Sequence, residues 1–270
     1  MTMLGVLARL APTAGTVGGR RAGRLVERNL MVYRRIWLVF FSGFFEPLFY
    51  LLSIGFGLGQ YIPAFTVGGS SIPYPQFVAP ALLASAAMNG AVYDSTFNVF
   101  FKLKYEKTYD AILSTPLGVG DVALGEVAWA LLRGTLYAVG FLGVMLVLGL
   151  VGSPLFVFVL PASMLVGFAF AAVGMAATTF MRDWTDFDWI AVVTLPLFLF
   201  SATFYPISAY PPALQLLVQL TPLYHAVALL RGLTIGVVDA SIVGHLGYLA
   251  AMGVLGLAVI GRRLDRLLLT

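Results

Sequence analysis

Apolar positions along this chain come in long runs, without the alternating or one-in-three spacing of a soluble domain. Six runs, 36–59, 77–101, 122–151, 155–181, 189–205 and 242–260, approach or exceed the roughly 20 residues needed to cross a hydrocarbon layer. The pattern predicts an all-α integral membrane protein with six transmembrane helices. Three stretches between and before the runs depart from plain turns. In 20–35, Arg20, Arg21, Arg24, Arg28 and Arg35 interleave with Leu25, Val26, Leu30, Met31 and Val32. That mixture predicts an interfacial helix on anionic headgroups, or else a basic topology anchor. In 102–121, Tyr105, Tyr109, Ile112 and Leu113 share approximate helical spacing before Pro116 and Gly118 close the segment. It reads as a cytoplasmic helix able to dock a soluble partner, or as a solvated loop longer than a turn requires. In 204–239, Pro206, Pro211, Pro212 and Pro222 separate two short helical segments, 213–220 and 224–233. Too short to span, they predict an outer re-entrant pair.

Charge sets the orientation. Only 10% of residues are charged and 60% are hydrophobic, more than a soluble domain of 270 residues could hide. Of the 16 basic residues, 14 fall on the side that holds both termini. These are Arg9, Arg20, Arg21, Arg24, Arg28, Arg34 and Arg35 before the first run, and Lys102, Lys104 and Lys107 after the second. Arg182 follows the fourth, and Arg262, Arg263 and Arg266 follow the last. The opposite loops carry only Arg231. By the positive-inside rule both ends face the cytoplasm of a cell (inner or plasma) membrane. The net charge of +4 therefore expresses topology, and nucleic acid is not an expected partner. Residues 1–19 read as a cytoplasmic tail, because Arg9 breaks their apolar stretch and the basic cluster follows it, unlike a signal peptide. Residues 20–270 read as one transmembrane domain. The chain has no cysteine, which excludes disulfides and thiol nucleophiles.

Ionisable groups inside a membrane are costly and draw attention to function. Here they are Glu46, Asp94, Glu126 and Arg133, with Asn98 one turn from Asp94. Glu126 and Arg133 share one helix face, and Arg133 is placed to pair with Glu46 or Asp94 across helices. Interhelical pairing is the simpler reading. The other is a proton-coupled secondary transporter using Glu46, Asp94 and Glu126. Glu46-Pro47 lies near the middle of the first span, and Gly55 and Gly59 form a GxxxG surface at its end. His225 and His245 are far apart in sequence and lack metal-site spacing. No nucleophile elbow and no phosphate loop occur, so catalytic, cofactor-binding and metal-binding residues are not expected and the chain does not read as an enzyme. Trp37, Phe41, Phe45 and Phe49 on the first span, and Phe200 and Phe204 on the fifth, form i, i+4 rows. They suit packing or lipid contact, or the lining of a passage for an amphipathic or glycan-bearing substrate.

Three stretches carry a family resemblance. Residues 105–126 (YEKTYDAILSTPLGVGDVALGE) are similar to the "GT.E.LL.TPL" loop of ABC-2-type export permeases, with Lys107-Thr108 where the family often has Gly-Thr. Residues 200–212 (FSATFYPISAYPP) are similar to "SG.FFP...LP", with Ala202 for glycine, and 220–231 (LTPLYHAVALLR) to "NP..Y.....R", with Thr221 for asparagine. Residues 45–52 (FEPLFYLL) and 55–59 look closest to nodulation-factor (lipo-oligosaccharide) export permeases. Daunorubicin-resistance-type drug exporters and polysaccharide exporters share the architecture. The resemblance implies a permease subunit that works as a homo- or heterodimer with cytoplasmic ABC ATPase subunits, which bind the ATP and Mg2+. It further implies that Tyr105, Glu106, Thr108, Tyr109, Asp110, Ile112 and Leu113 couple the permease to those ATPases. The cargo would be an amphipathic or glycan- or lipid-linked molecule, or a drug.

Overall fold

The computed structural model describes residues 19–33, 45–67 and 69–268. The expected tail apart from Gly19, the first part of the first span, Arg34, Arg35, Trp37 and Phe41 lie outside the described residues. Helix α1 (Gly19–Tyr33) comes first. Helical residues 45–50 continue into a π-helical stretch, Leu51–Gly57, and a 3-10 turn, Leu58–Gln60. Next come strands β1 (Phe65–Val67) and β2 (Ser70–Ile72), then α2 (Tyr74–Tyr93). A π-helical stretch, Asp94–Asn98, joins α2 without a break to α3 (Val99–Lys104). The rest is α4 (Thr108–Leu113), α5 (Val119–Val147), α6 (Val159–Thr178), α7 (Phe187–Leu199), α8 (Pro212–Leu220), α9 (Pro222–Ile235) and α10 (Ser241–Leu268).

Three described segments are long and apolar enough to cross a membrane: α5, Pro154–Thr178 and Ser241–Leu264. The α8–α9 pair, bent by 87° at Thr221, makes a fourth if it is counted as one span. The bend has a local cause. Pro222 cannot continue α8, and the Thr221 hydroxyl accepts the Tyr224 N–H (3.4 Å) to start α9 afresh.

Helix α6 is the hub and packs against α2, α5, α9 and α10. Its run of Ala, Gly and Ser lets neighbours approach closely. A Cβ at Gly256 of α10 would lie 2.8 Å from the Ala172 carbonyl carbon, so only glycine fits that crossing. Gly55 and Gly59 face the start of α2 at Tyr74 and Pro75.

Three expectations need correction. The run 189–205 is not one helix, because α7 ends at Leu199 and 200–205 are irregular. There Arg231 takes the carbonyls of Ala202 (2.8 Å) and Thr203 (3.3 Å), which a longer helix would need for itself. The all-helical expectation also missed the β1–β2 hairpin, in which Phe65 pairs with Ile72 and Val67 with Ser70 around Gly69 (φ +81°). Finally, Leu25, grouped in the sequence with Leu30, Met31 and Val32, does not share their exposed face of α1. It packs on Gly125 of α5, where a Cβ would come within 2.7 Å of the Leu25 Cβ. Ala22, Leu25 and Asn29 form the buried stripe, while Leu30, Met31 and Val32 stay exposed.

Candidate functional site

The polar groups of the helical body gather at three depths. The first lies beneath the short helix α4. Lys107, with φ +46°, turns the chain between α3 and α4. Tyr109 and Ile112 are buried and seat α4 on the body, with Leu113 half-buried beside them. Asp110, Ala111 and Ser114 remain exposed, as does Glu106, which accepts the Thr108 hydroxyl (3.0 Å). Tyr105 does not join the α4 stripe; it follows the end of α3, 63% exposed, against Phe100 and Phe101. Behind α4, Lys102 Nζ donates to both oxygens of Glu126 at 2.9 Å and to Asn29 Oδ1 at 3.3 Å. Asn29 Nδ2 donates in turn to Glu126 Oε2 at 3.4 Å. Burial, with the Glu126 carboxylate beside it, pushes the Tyr109 phenol well above its usual range. Its hydroxyl closes no bond of ordinary geometry with that carboxylate. Arg21 adds a bond to the Pro116 carbonyl at 2.9 Å. Thus α1, α3, α4 and α5 meet at one buried polar joint.

The second group is deeper. Arg133 Nη1 lies 2.7 Å from Asp94 Oδ1, with side chains only 11% and 4% exposed. Arg133 also donates to Tyr137 Oη (3.2 Å) and Tyr33 Oη (3.4 Å). The structure therefore brings Arg133 to Asp94, leaves Glu46 exposed, and gives Glu126 to Lys102 instead of Arg133. Asp94 Oδ2, Asn98 Nδ2 and Arg133 Nε are buried without partners. Asp94 opens the π-helical stretch, a departure from α geometry that often marks functional positions. Beside Arg133 a cleft of about 350 Å3 is lined by Glu46, Tyr50, Asn89, Tyr93, Tyr137 and Phe198, among others. The described members of the aromatic rows read from the sequence, Phe45, Phe49, Phe200 and Phe204, are not among its lining residues. Phe45 and Phe49 stack on each other (5.9 Å) and are exposed, Phe200 is exposed, and Phe204 packs edge-on against Phe198 (5.2 Å). A second, mostly apolar groove of about 730 Å3 runs along α6 and α7 past Phe170, Trp189 and Val193.

The third group is at the opposite end from α4. Arg231 Nε donates to the Phe77 carbonyl (3.1 Å), and its guanidinium lies 3.7 Å from the Phe77 ring centroid. With the Ala202 and Thr203 carbonyls this joins α2, α9 and the segment after α7. Close by, His225 and His245 meet with their Nδ1 atoms 2.8 Å apart.

Sequence reasoning missed Asn29, Lys102 and the histidine contact. Lys102 was counted only as a topology charge, although its distance from Asp94 nearly matches that of Glu126 from Arg133 on an antiparallel neighbour. The histidine contact left no such signal, because His225 lies ten residues before the end of α9 and His245 four after the start of α10.

Comparison with known proteins gives the family. The family model described as ABC-2 type transporter matches residues 21–235. Nodulation protein J of Rhizobium leguminosarum bv. trifolii is 31% identical over 246 residues, 89% of this chain and 92% of that protein. Nodulation protein J of Rhizobium meliloti (strain 1021) is 29% identical over 88% of this chain and 92% of its own length. The inner membrane transport permease YadH of Escherichia coli K12 is 24% identical over 65% of this chain and 69% of its own length.

Proposed function

The chain belongs to the ABC-2 type transporter family, and from that premise we propose that it is the membrane-spanning subunit of an ATP-driven exporter. Separate cytoplasmic ATPase subunits hold the ATP and Mg2+ and drive the permease through α4. The observation that carries this reading is the seating of α4. Its buried face, Tyr109 and Ile112, rests on the Lys102–Glu126–Asn29 joint, while Asp110, Ala111 and Ser114 are left for a partner. A push on that outer face is delivered to α1, α3 and α5 together, because packed elements shift as units. In this reading two permease subunits pair, each with six spans and cytoplasmic termini. Residues 20–270 form one transmembrane domain, and the bent α8–α9 pair is the outer re-entrant element.

The cargo is amphipathic. A ring-lined cleft that holds Glu46, Asn89 and Arg133 reaches α7 at Phe198, and an apolar groove follows α7 from Trp189 to Leu197, suited to a headgroup and a hydrocarbon tail. The resemblance to nodulation-factor export permeases makes a lipo-oligosaccharide the first candidate and a drug the second. Proton-coupled transport is not favoured. Asp94 and Glu126 each face their own cation, and Glu46 belongs to neither pair.

Co-expression with a partner ABC ATPase and reconstitution into vesicles tests the reading. Asp110→Lys alters only the exposed face of α4, so the subunits should still copurify and hydrolyse ATP. Transport should fall roughly tenfold, as expected when about 1.4 kcal/mol of coupling is lost. Wild-type transport by Asp110→Lys and by Ser114→Glu would reduce α4 to a connector.

A further inference from the structure

The histidine contact at the α9–α10 corner belongs to none of the roles above. His225 and His245 are both half-buried, with ring centroids 5.0 Å apart. Tyr248 stacks on His225 at 3.9 Å and is itself tied to the Leu220 carbonyl at 2.8 Å, so the His225 ring is held in place. Tyr224 presents its ring to both histidines. On the far side, His245 Nε2 lies 3.5 Å from Ser241 Oγ, which donates to Asp239 Oδ1 at 2.5 Å. A carboxylate acting through a hydroxyl on the outer ring nitrogen resembles the supporting contact that orients metal-bound histidines.

We propose that His225 and His245 form a site for one divalent transition metal of the zinc class, bound through their two Nδ1 atoms. At 2.8 Å a single proton sits between those atoms. If the ring that carries it moves that proton to its own Nε2, two lone pairs face one another, an arrangement only a cation can hold. Zinc–nitrogen bonds of about 2.0–2.1 Å in tetrahedral geometry place the two nitrogens about 3.3 Å apart, so the nitrogens separate by about half an ångström while the rings pivot until their lone pairs converge on the ion. Imidazole ligands select zinc, copper or nickel over magnesium and calcium. Among the described residues no three metal-ligating side chains cluster. The histidines therefore supply two ligands and water the remainder, with the exposed Asp239 carboxylate in the same corner. The bound metal would staple α9 to α10 across the 236–240 turn.

The chain has only two histidines and no cysteine, so the test is clean on full-length permease purified without a polyhistidine tag. Calorimetric titration with zinc chloride near pH 7.5 should give one ion per chain, and magnesium chloride none. His225→Gln and His245→Gln should each weaken binding by roughly tenfold or more. Acidification below about pH 5.5 should release the metal, because imidazole must be unprotonated to bind it. Tyr224, Tyr248 and Asp239 are the other titratable groups facing the pair. Should either variant misfold, the wild-type protein still decides the matter. Zinc should protect both histidines from diethyl pyrocarbonate, and unprotected modification overturns the proposal. Zinc bound equally well by a folded single variant overturns it too. Neither readout involves transport, so the site stands or falls apart from the exporter reading.

Discussion

Lys107 and Ala202 are the only non-glycine residues with positive φ among the described residues, at +46° and +55°. Each stands where the ABC-2 pattern carries glycine. Left-handed backbone costs a residue with a Cβ roughly 1–2 kcal/mol, which glycine avoids. Lys107→Gly and Ala202→Gly should therefore each stabilise the protein by about 1 kcal/mol, after the extra chain entropy glycine loses on folding. Thermal unfolding in detergent measures this, and a fall in both midpoints would contradict it. Both departures were legible in the sequence as missing glycines. The backbone strain was not, because it arises from the turn into α4 and from the capture of the Ala202 carbonyl by Arg231.

At the scale of elements, the runs behind α5, α6 and α10 were legible because length and unbroken hydrophobicity dictate helices in lipid, where every backbone group must bond within its own segment. What escaped was decided by partners distant in sequence. Helix α7 stops short because Arg231 takes carbonyls beyond its end, and the buried stripe of α1 was misread because Gly125 is its partner. The Asp94–Arg133 bridge was readable only as a choice between Glu46 and Asp94 for Arg133. Its geometry makes a specific prediction. Arg133→Leu strands the Asp94 carboxylate, and breaking a buried pair costs about 3–5 kcal/mol. Adding Asp94→Asn should recover a large part of the loss, whereas adding Glu46→Gln should recover none. Thermal stability of these three variants and the native protein compares the arms, and equal rescue by both would place the charge balance elsewhere.

Across the whole molecule, the proposed arrangement of the sides rests on charge, and the absence of cysteine makes it directly measurable. Single cysteines introduced at Ser71 and Ser208 should react with an impermeant maleimide added outside intact cells. Cysteines at Ser114 and Thr185 should react only after permeabilisation. All four positions are exposed. Labelling of Ser114 from outside would invert the proposed orientation. One feature of the helical body also bears on how the chain finds its register. Read from N- to C-terminus, the α2–α3 segment presents acid then base, Asp94 and Lys102, and α5 presents acid then base, Glu126 and Arg133. Two strings with the same order of signs match only head to tail. Run side by side in the same direction, or slid by two turns, they would set acid against acid or base against base. The two bridges thus act as a parity check on assembly, and a misaligned pair of spans fails it before any side chain has packed.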